Sequence, residues 1–401
     1  MSTEKRSILQ KGRGKTRKLA KLEYVYEKES RYFAQVAESV KELAADELRA
    51  LGAEDLKFVF RGVWFRAEKS VFYKINYKAR LISRVLAPLA EFECTDKDGL
   101  YKAAKSIRWE EFLTPKKTFS VVANVSESQI THSNFAGLRV KDAIADYFRD
   151  RTNRRPSVDA ENPWITVSLH IHRDKATLSI DASGGALHKR GYREARVSAP
   201  MQETVAAGII ALSEWNGERP LYDPMCGSGT LLCEALMHYC RIPAQVFREH
   251  FGFERLPDFD AQLWERVLAG AKAEIRPLPQ GLIRGSDVAQ SSVDAVKTNL
   301  MGLHYGGDIP IALSDFRELP PIENSVIVTN PPYGIRMGKD QDMGKLYKDL
   351  GTFLKEKCKG CRAYVYFGEP KLIKKVPLAP SWKRPLKIGG LDGKLVRYDL
   401  Y

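Results

Sequence analysis

The sequence predicts an α/β protein, with a doubly wound, mostly parallel sheet from about residue 199 onward and an α+β region before it. Three observations lead there. From Pro200, apolar helical segments alternate with short apolar, β-branched runs such as Val326-Ile-Val-Thr329, the pattern of a parallel sheet covered on both faces. Before residue 183, helices are mixed with strands of strict alternation, of which Ile165, Val167, Leu169 and Ile171 are the clearest. Between the apolar Leu221-Tyr222 and the helical Leu231–Met237 lies a glycine-rich turn, Asp223-Pro-Met-Cys-Gly-Ser-Gly-Thr230.

In chain order, Val36, Val40, Leu43 and Leu48 fall near helical spacing and predict one amphipathic helix over Arg31–Leu51, stopped by Gly52. Phe58, Phe60, Val63 and Phe65 predict strands around Arg61-Gly62. A helix over Ser70–Arg84 and a strand to Glu93 come next. Helices over Gly99–Ile107 and Gly137–Arg149 flank a strand over Thr118–Val125. Trp164–His172 pairs with the run through Ala176, Leu178 and Ile180 as a hairpin turning at Arg173-Asp174. Ser183-Gly-Gly185 breaks the pattern, and residues 184–198 read as a basic linker. There Lys189, Arg190 and Arg193 surround Tyr192, a mixture suited to nucleic-acid backbones and bases.

Composition narrows the function. The chain has 401 residues, 44% hydrophobic and 28% charged, which is ordinary for a water-soluble protein of two or three domains. No apolar run approaches the ~20 residues of a membrane helix, and no signal-like segment opens the chain. Six scattered cysteines fit a reducing cytoplasm. Net charge is +14, and residues 1–21 hold eight Lys or Arg against Glu4, giving +7, half the total. Residues 1–22 are expected to be a disordered basic tail that grips phosphates through counterion release. Cys358 and Cys361 have no second ligand pair nearby, and His170 and His172 alternate as exposed polar residues, so no metal is expected.

The chemistry is carried by the glycine turn and by Asn330-Pro331-Pro332-Tyr333. The turn has Leu232 where a dinucleotide fingerprint has its third glycine, and it lacks the Gly-Lys-Ser/Thr of a phosphate loop. A cofactor without phosphate, S-adenosylmethionine (SAM), fits that departure. Asp287 closes a second predicted strand and suits ribose hydroxyls; Asp315 follows Ala312-Leu-Ser and suits an adenine amino group. At Asn330, a side-chain carbonyl and the Pro331 backbone carbonyl form two acceptors, preorganised by the two prolines. Such a pair can take both hydrogens of an exocyclic amine, freeing the nitrogen lone pair from the ring, while Tyr333 offers a face for an extruded base.

With these motifs stand Phe135-Ala-Gly-Leu-Arg-Val-Lys-Asp-Ala-Ile144, Leu187-His-Lys-Arg-Gly-Tyr-Arg193, Ala199-Pro-Met-Gln-Glu-Thr-Val-Ala206 and Asn-Pro-Pro-Tyr-Gly334. Over residues 30–401 the chain resembles the THUMP-domain RNA guanine-N2 methyltransferases, above all the N-terminal half of the bacterial 23S rRNA enzyme. The resemblance implies a ferredoxin-like segment over 23–95, then a THUMP RNA-binding domain over 96–183 whose first part interleaves with that segment. A class I SAM-dependent methyltransferase domain follows over 199–401. It implies that Glu203, Asp223, Gly227 and Gly229 line the methionine end of SAM, with Asp287 at the ribose and Asp315 at the adenine. Asn330, Pro331 and Tyr333 then serve the reaction, and Lys189, Arg190, Tyr192 and Arg193 the RNA. The expected partner is rRNA, a pre-ribosomal particle or tRNA, in the cytoplasm. Alternatives are a tRNA guanine-N2 enzyme, a DNA N6-adenine methyltransferase and a non-catalytic ribosome-assembly factor. The chain departs from many relatives at Ile335, where they carry an acid, and some relatives continue into a second methyltransferase half.

Overall fold

A computed structural model of the chain describes residues 23–195, 201–332, 343–387 and 392–401. The basic segment 1–22, Arg196, Tyr333 and Ile335 lie outside the described residues.

The N-terminal half is built on one eight-stranded sheet: β1 Arg31–Val36, β2 Glu54–Val59, β3 Gly62–Arg66, β4 Ile82–Glu93, β5 Thr118–Ser126, β6 Ser157–Val158, β7 Ile165–His172 and β8 Lys175–Asp181, ordered β2-β3-β1-β4-β8-β7-β5-β6. Its helices are α1 Val25–Glu29, α2 Lys41–Leu51, α3 Lys69–Lys78, α4 Lys97–Ser106 and α5 Ser133–Thr152. The twelve-residue β4 pairs antiparallel with β1 on one side and β8 on the other. The two α+β units therefore share one sheet. The β4–β8 register shifts between Pro88 and Ala90, where proline has no N–H to give the ladder. The β7–β8 hairpin turns through Arg173 and Asp174, both at positive φ (50° and 59°), the backbone a two-residue type I′ turn needs.

The single helix expected over Arg31–Leu51 is not what forms. Its first six residues are β1, with Tyr32, Ala34 and Val36 buried in alternation, and the α-helix begins at Lys41. Val36 and Val40 fit a helical spacing, but pairing of 31–36 with β3 and β4 decides the outcome. Helix α4 starts two residues before the expected Gly99, because Asp96 caps it by accepting from the amides of Asp98 and Gly99, each at 2.8 Å.

The C-terminal half holds β9 Leu221–Asp223, β10 Ile283–Asp287, β11 Ile311–Leu313, β12 Val326–Thr329, β13 Arg362–Phe367, β14 Trp382–Pro385 and β15 Lys394–Asp399. Their order is β11-β10-β9-β12-β13-β15-β14, parallel through β13, with β15 and β14 antiparallel at the edge. Helices α6 Glu203–Leu212, α7 Thr230–Tyr239, α8 Ala261–Ala273, α9 Gln290–Met301 and α10 Met343–Lys357 complete the domain. From β9 the chain moves outward to β10 and β11, then returns to place β12 on the other side of β9. That reversal opens a crevice beyond the carboxyl ends of β9, β10 and β12, where open α/β sheets bind ligands. No helix among the described residues is long and apolar enough to cross a membrane.

The halves meet through an aromatic cluster and a half-buried arginine. Tyr73 of α3 stacks on Phe253 at 4.5 Å between ring centroids, and Trp264 of α8 meets both rings edge-on. The Arg80 guanidinium donates to the carbonyls of Glu234, Met237 and Ile242 at the end of α7.

Candidate functional site

Asp223 is the last residue of β9 and is fully buried. Its Oδ1 accepts the Met225 amide at 3.1 Å, which turns the chain into the glycine loop. Burial pushes its carboxyl up to about 7, against the Thr329 hydroxyl and the Met225 amide, and nearby Asp287 adds repulsion. The loop is pinned to β10 by the Cys226 amide on the Ser286 carbonyl (2.9 Å) and by the Gly227 amide on Asp287 Oδ2 (2.9 Å). Gly227 sits at φ 53° and a Cβ there would meet nothing within 4 Å, so the crevice is open at this point. Gly229 caps α7 at φ 80°, and a Cβ there would lie 2.2 Å from Val296 Cγ2. Conformation and space both require glycine at 229.

Asp287 ends β10 beside Asp223. Each of its oxygens already takes one amide, Gly227 on Oδ2 and Ala289 on Oδ1 (3.0 Å), and each keeps acceptor capacity for a further donor. Asp315 is held next to it, because the Ser314 amide bonds the Asp287 carbonyl at 3.0 Å. Its carboxylate is paired with Arg317 at 2.7 Å, and Arg317 reaches on to Asp349 at 3.0 Å. Glu203 opens α6, buried, with its carboxyl raised by burial, and is ion-paired to Arg193 at 3.1 Å.

Asn330 follows β12 directly. Its side-chain carbonyl oxygen Oδ1 is buried and has no hydrogen-bond partner among the described residues. Such an acceptor costs stability unless a donor arrives, and this oxygen can accept from a donor that enters the crevice. Pro331 beside it is buried. Asp223, Gly227, Asp287, Asp315 and Asn330 thus gather at neighbouring strand ends, with Glu203 joined to them through Arg193 and Thr230. Tyr333 lies outside the described residues.

The basic connector requires correction. Arg190 is 1% exposed and Tyr192 is 2% exposed, so neither can touch a nucleic acid. Arg190 ion-pairs with the buried Glu234 at 3.2 Å and donates to the carbonyls of Leu187 and Arg80, while the Tyr192 hydroxyl reaches the same Glu234 oxygen at 3.3 Å. Arg193 also turns inward, to Glu203, the Met201 carbonyl (2.9 Å) and Thr230 Oγ1 (3.1 Å). Of the four expected RNA contacts, Lys189 is exposed. Basic residues around an aromatic read alike whether they face solvent or a buried carboxylate. Glu234 in the apolar helix Leu231–Met237 is the signal that separates the two cases.

Asn299 was not visible as a functional residue. Its Oδ1 accepts the amides of Glu194 (2.9 Å) and Ala195 (3.0 Å), and its Nδ2 donates to the carbonyls of Ser228 (3.0 Å) and Ala195 (3.2 Å). One buried side chain ties the connector to the glycine loop. A lone asparagine on the apolar face of α9, between Val296 and Leu300, is the clue in the sequence.

The residues present fit SAM. The loop offers a glycine cradle without a phosphate-binding lysine, acidic groups stand at two further strand ends, and Asn330 has an acceptor left unpaired among the described residues. Family models match the chain in three blocks: an RlmL ferredoxin-like domain over residues 31–86, a THUMP domain over 94–181 and an RMKL-like methyltransferase domain over 190–397. The last begins inside the stretch read from sequence as a linker. The chain is 40% identical over 371 residues to slr0064 of Synechocystis sp., provisionally named an RNA methyltransferase, covering 92% of this chain and 97% of that protein. It is 39% identical over 384 residues to the ribosomal RNA large subunit methyltransferase K/L of Syntrophotalea carbinolica, covering 92% of this chain and 53% of that one. The chain thus spans about half the length of the K/L relatives. A crystal structure of SMU.472, provisionally named a methyltransferase and complexed with SAH, superposes with a TM-score of 0.81 at 26% identity, covering 92% of this chain and 98% of that one. With a methyltransferase match over half its length and a 40% identical relative matched almost end to end, the chain belongs to the RMKL-like family of SAM-dependent methyltransferases, with an RlmL ferredoxin-like domain and a THUMP domain preceding its methyltransferase domain.

Proposed function

We propose that this chain methylates the exocyclic N2 amino group of a guanine in RNA, and that the RNA is 23S ribosomal RNA. The observation that carries the chemistry is the buried Oδ1 of Asn330 at the end of β12, which has no partner among the described residues. An amine N–H is the donor it lacks. The names of the K/L relatives and the THUMP match support ribosomal RNA, and guanine N2 rests on the family resemblance.

Bound SAM supplies an electrophilic methyl group on a sulfonium. Asn330 Oδ1 and the Pro331 carbonyl accept the two amine hydrogens, pulling the nitrogen toward tetrahedral geometry and aiming its lone pair. The rate gain is positioning, because no strong base is needed until the nitrogen has become cationic. Asp223, Gly227 and Gly229 hold the methionine end; Asp287 and Asp315 hold the nucleoside, the latter after sharing its charge with Arg317. Glu203 and Arg193 stay paired and fix the start of α7 through Thr230. Lys189 and the basic segment 1–22 attract phosphates, offsetting the few kcal/mol that base extrusion costs.

Asp223 gives this reading a pH signature. Its carboxyl lies near 7 in the folded chain against 3.8 ordinarily, so the fold binds a proton there that the unfolded chain releases. That contribution to stability is therefore present at low pH and is lost as pH rises from about 4 toward 7. A cationic ammonium held at Asp223 would favour the carboxylate, so Asp223 would give up its proton on binding. SAM affinity is expected to rise between about pH 6 and 8, with proton release below 7. Calorimetry in buffers of different ionisation enthalpy reads that release, and Asp223→Asn should abolish it. A pH-independent affinity with no proton exchanged removes Asp223 from the methionine end.

The function itself is tested by nucleoside mass spectrometry of rRNA and tRNA, prepared separately from cells lacking the gene. Loss of N2-methylguanosine from large-subunit rRNA alone is expected. Loss from tRNA would move the substrate and leave the chemistry. No change in either pool would overturn the proposal.

A further inference from the structure

We propose that Tyr347 is a positioning residue for methyl transfer, holding the Asn330-Pro331-Pro332 acceptor pair through the Pro332 carbonyl. The inference rests on the amine-methylation reading of that pair. Tyr347 lies in the second turn of α10 and is completely buried. Its ring stacks on Phe367, the last residue of β13, with centroids 5.2 Å apart and planes 30° apart. Its hydroxyl donates to the Pro332 carbonyl at 3.2 Å.

The need for such a bond follows from the sequence of the loop. Pro331 and Pro332 have no N–H, so neither can be anchored by donating to the protein. Their carbonyls are the remaining handles, and the Pro331 carbonyl is required by the substrate. That leaves the Pro332 carbonyl as the point at which the protein can grip the dipeptide. Both proline rings fix φ, and ψ of Pro331 is restricted by the proline after it. A hydrogen bond on the Pro332 carbonyl removes the remaining freedom, ψ of Pro332. Upstream, the loop is fixed by the ladder pair Thr329↔Val365, where β12 meets β13. The acceptors are thus clamped on both sides, with Tyr347 as the downstream clamp. An error of about 1 Å in such a pair can cost up to 10²-fold in rate, with no direct contact between Tyr347 and the amine.

The test is Tyr347→Phe in the full-length protein. The ring and its packing on Phe367 remain, and one hydroxyl is lost. We expect kcat to fall about 5- to 20-fold, with the KM for SAM and the affinity for SAH unchanged within about twofold. Hydrogen exchange of the SAH-bound protein should quicken in the peptide spanning residues 326–347. A core variant on the same helix, Leu354→Val, separates positioning from general loosening of α10: it should lower Tm and leave kcat. Unchanged kcat with unchanged exchange in Tyr347→Phe would overturn the proposal, as would a rise in KM for SAM as large as the fall in kcat. A wild-type protein that methylates no amine would sink the functional reading, while the exchange comparison still decides whether Tyr347 holds the loop.

Discussion

Asn330→Ala is expected to lower kcat for methyl transfer by about 10²–10³ and to leave SAM affinity within about threefold. The magnitude is that of removing one preorganised polar group from a reacting centre. The same substitution should leave Tm unchanged or slightly raised. Oδ1 of Asn330 is buried without a partner among the described residues, and an unsatisfied buried acceptor costs about 1–3 kcal/mol of folding free energy. Its removal relieves that cost, against the loss of a small amount of packing. Activity and stability therefore move apart, the mark of a group kept for function. Single-turnover kinetics with saturating SAM, isothermal calorimetry for SAM and a thermal melt together read the three quantities. A variant that still transfers methyl at near wild-type rate disproves the acceptor-pair mechanism. A variant that melts several degrees lower shows that Asn330 is a structural residue whose partner is part of the protein.

The site was legible in the sequence where a backbone requirement left its mark. Gly229 must be glycine because of its positive φ and Val296, and the two prolines after Asn330 mark a rigid turn at a strand end. Asp223, Asp287 and Asp315 could be placed together because each stands at or just past the end of a predicted strand, and parallel strands deliver their final residues to one edge of a sheet. Strand alternation likewise placed β7 and β8. Two kinds of feature were not legible. Local pattern could not separate β1 from the helix after it, because apolar residues at 32, 34 and 36 satisfy a strand while 36, 40, 43 and 48 satisfy a helix; pairing with β3 and β4 settles it. Nor could it show which way a basic side chain points. Lys189 faces solvent and Arg190 faces Glu234, though they are neighbours of the same charge. A buried counter-ion more than forty residues away is invisible to local pattern.

That buried pair leads to the second large effect. Arg190→Met should destabilise the protein by about 3–5 kcal/mol, because it strips Glu234 of a cation that shares its desolvated site. The loss reaches beyond one ion pair. The Arg190 guanidinium also bonds the Leu187 and Arg80 carbonyls, and Arg80 joins α3 to the end of α7. The amides of Arg80 and Leu81 in turn bond the Glu47 carboxylate, at 2.8 and 3.0 Å. Arg190 thus stands where the α+β half, the connector and the methyltransferase half meet. Thermal and denaturant melts should show a lower midpoint, with a Tm drop on the order of 5–10 °C. Pairing the change with Glu234→Leu should recover much of the loss, since two apolar side chains in a dry site avoid the desolvation cost of two charges. Lys189→Ala should behave in the opposite way, melting as wild type while weakening RNA binding and flattening its salt dependence. If instead Arg190→Met kept its melting point and lost RNA affinity, the guanidinium would be facing RNA after all, and the connector would be an RNA-binding strap in place of the joint between the two halves.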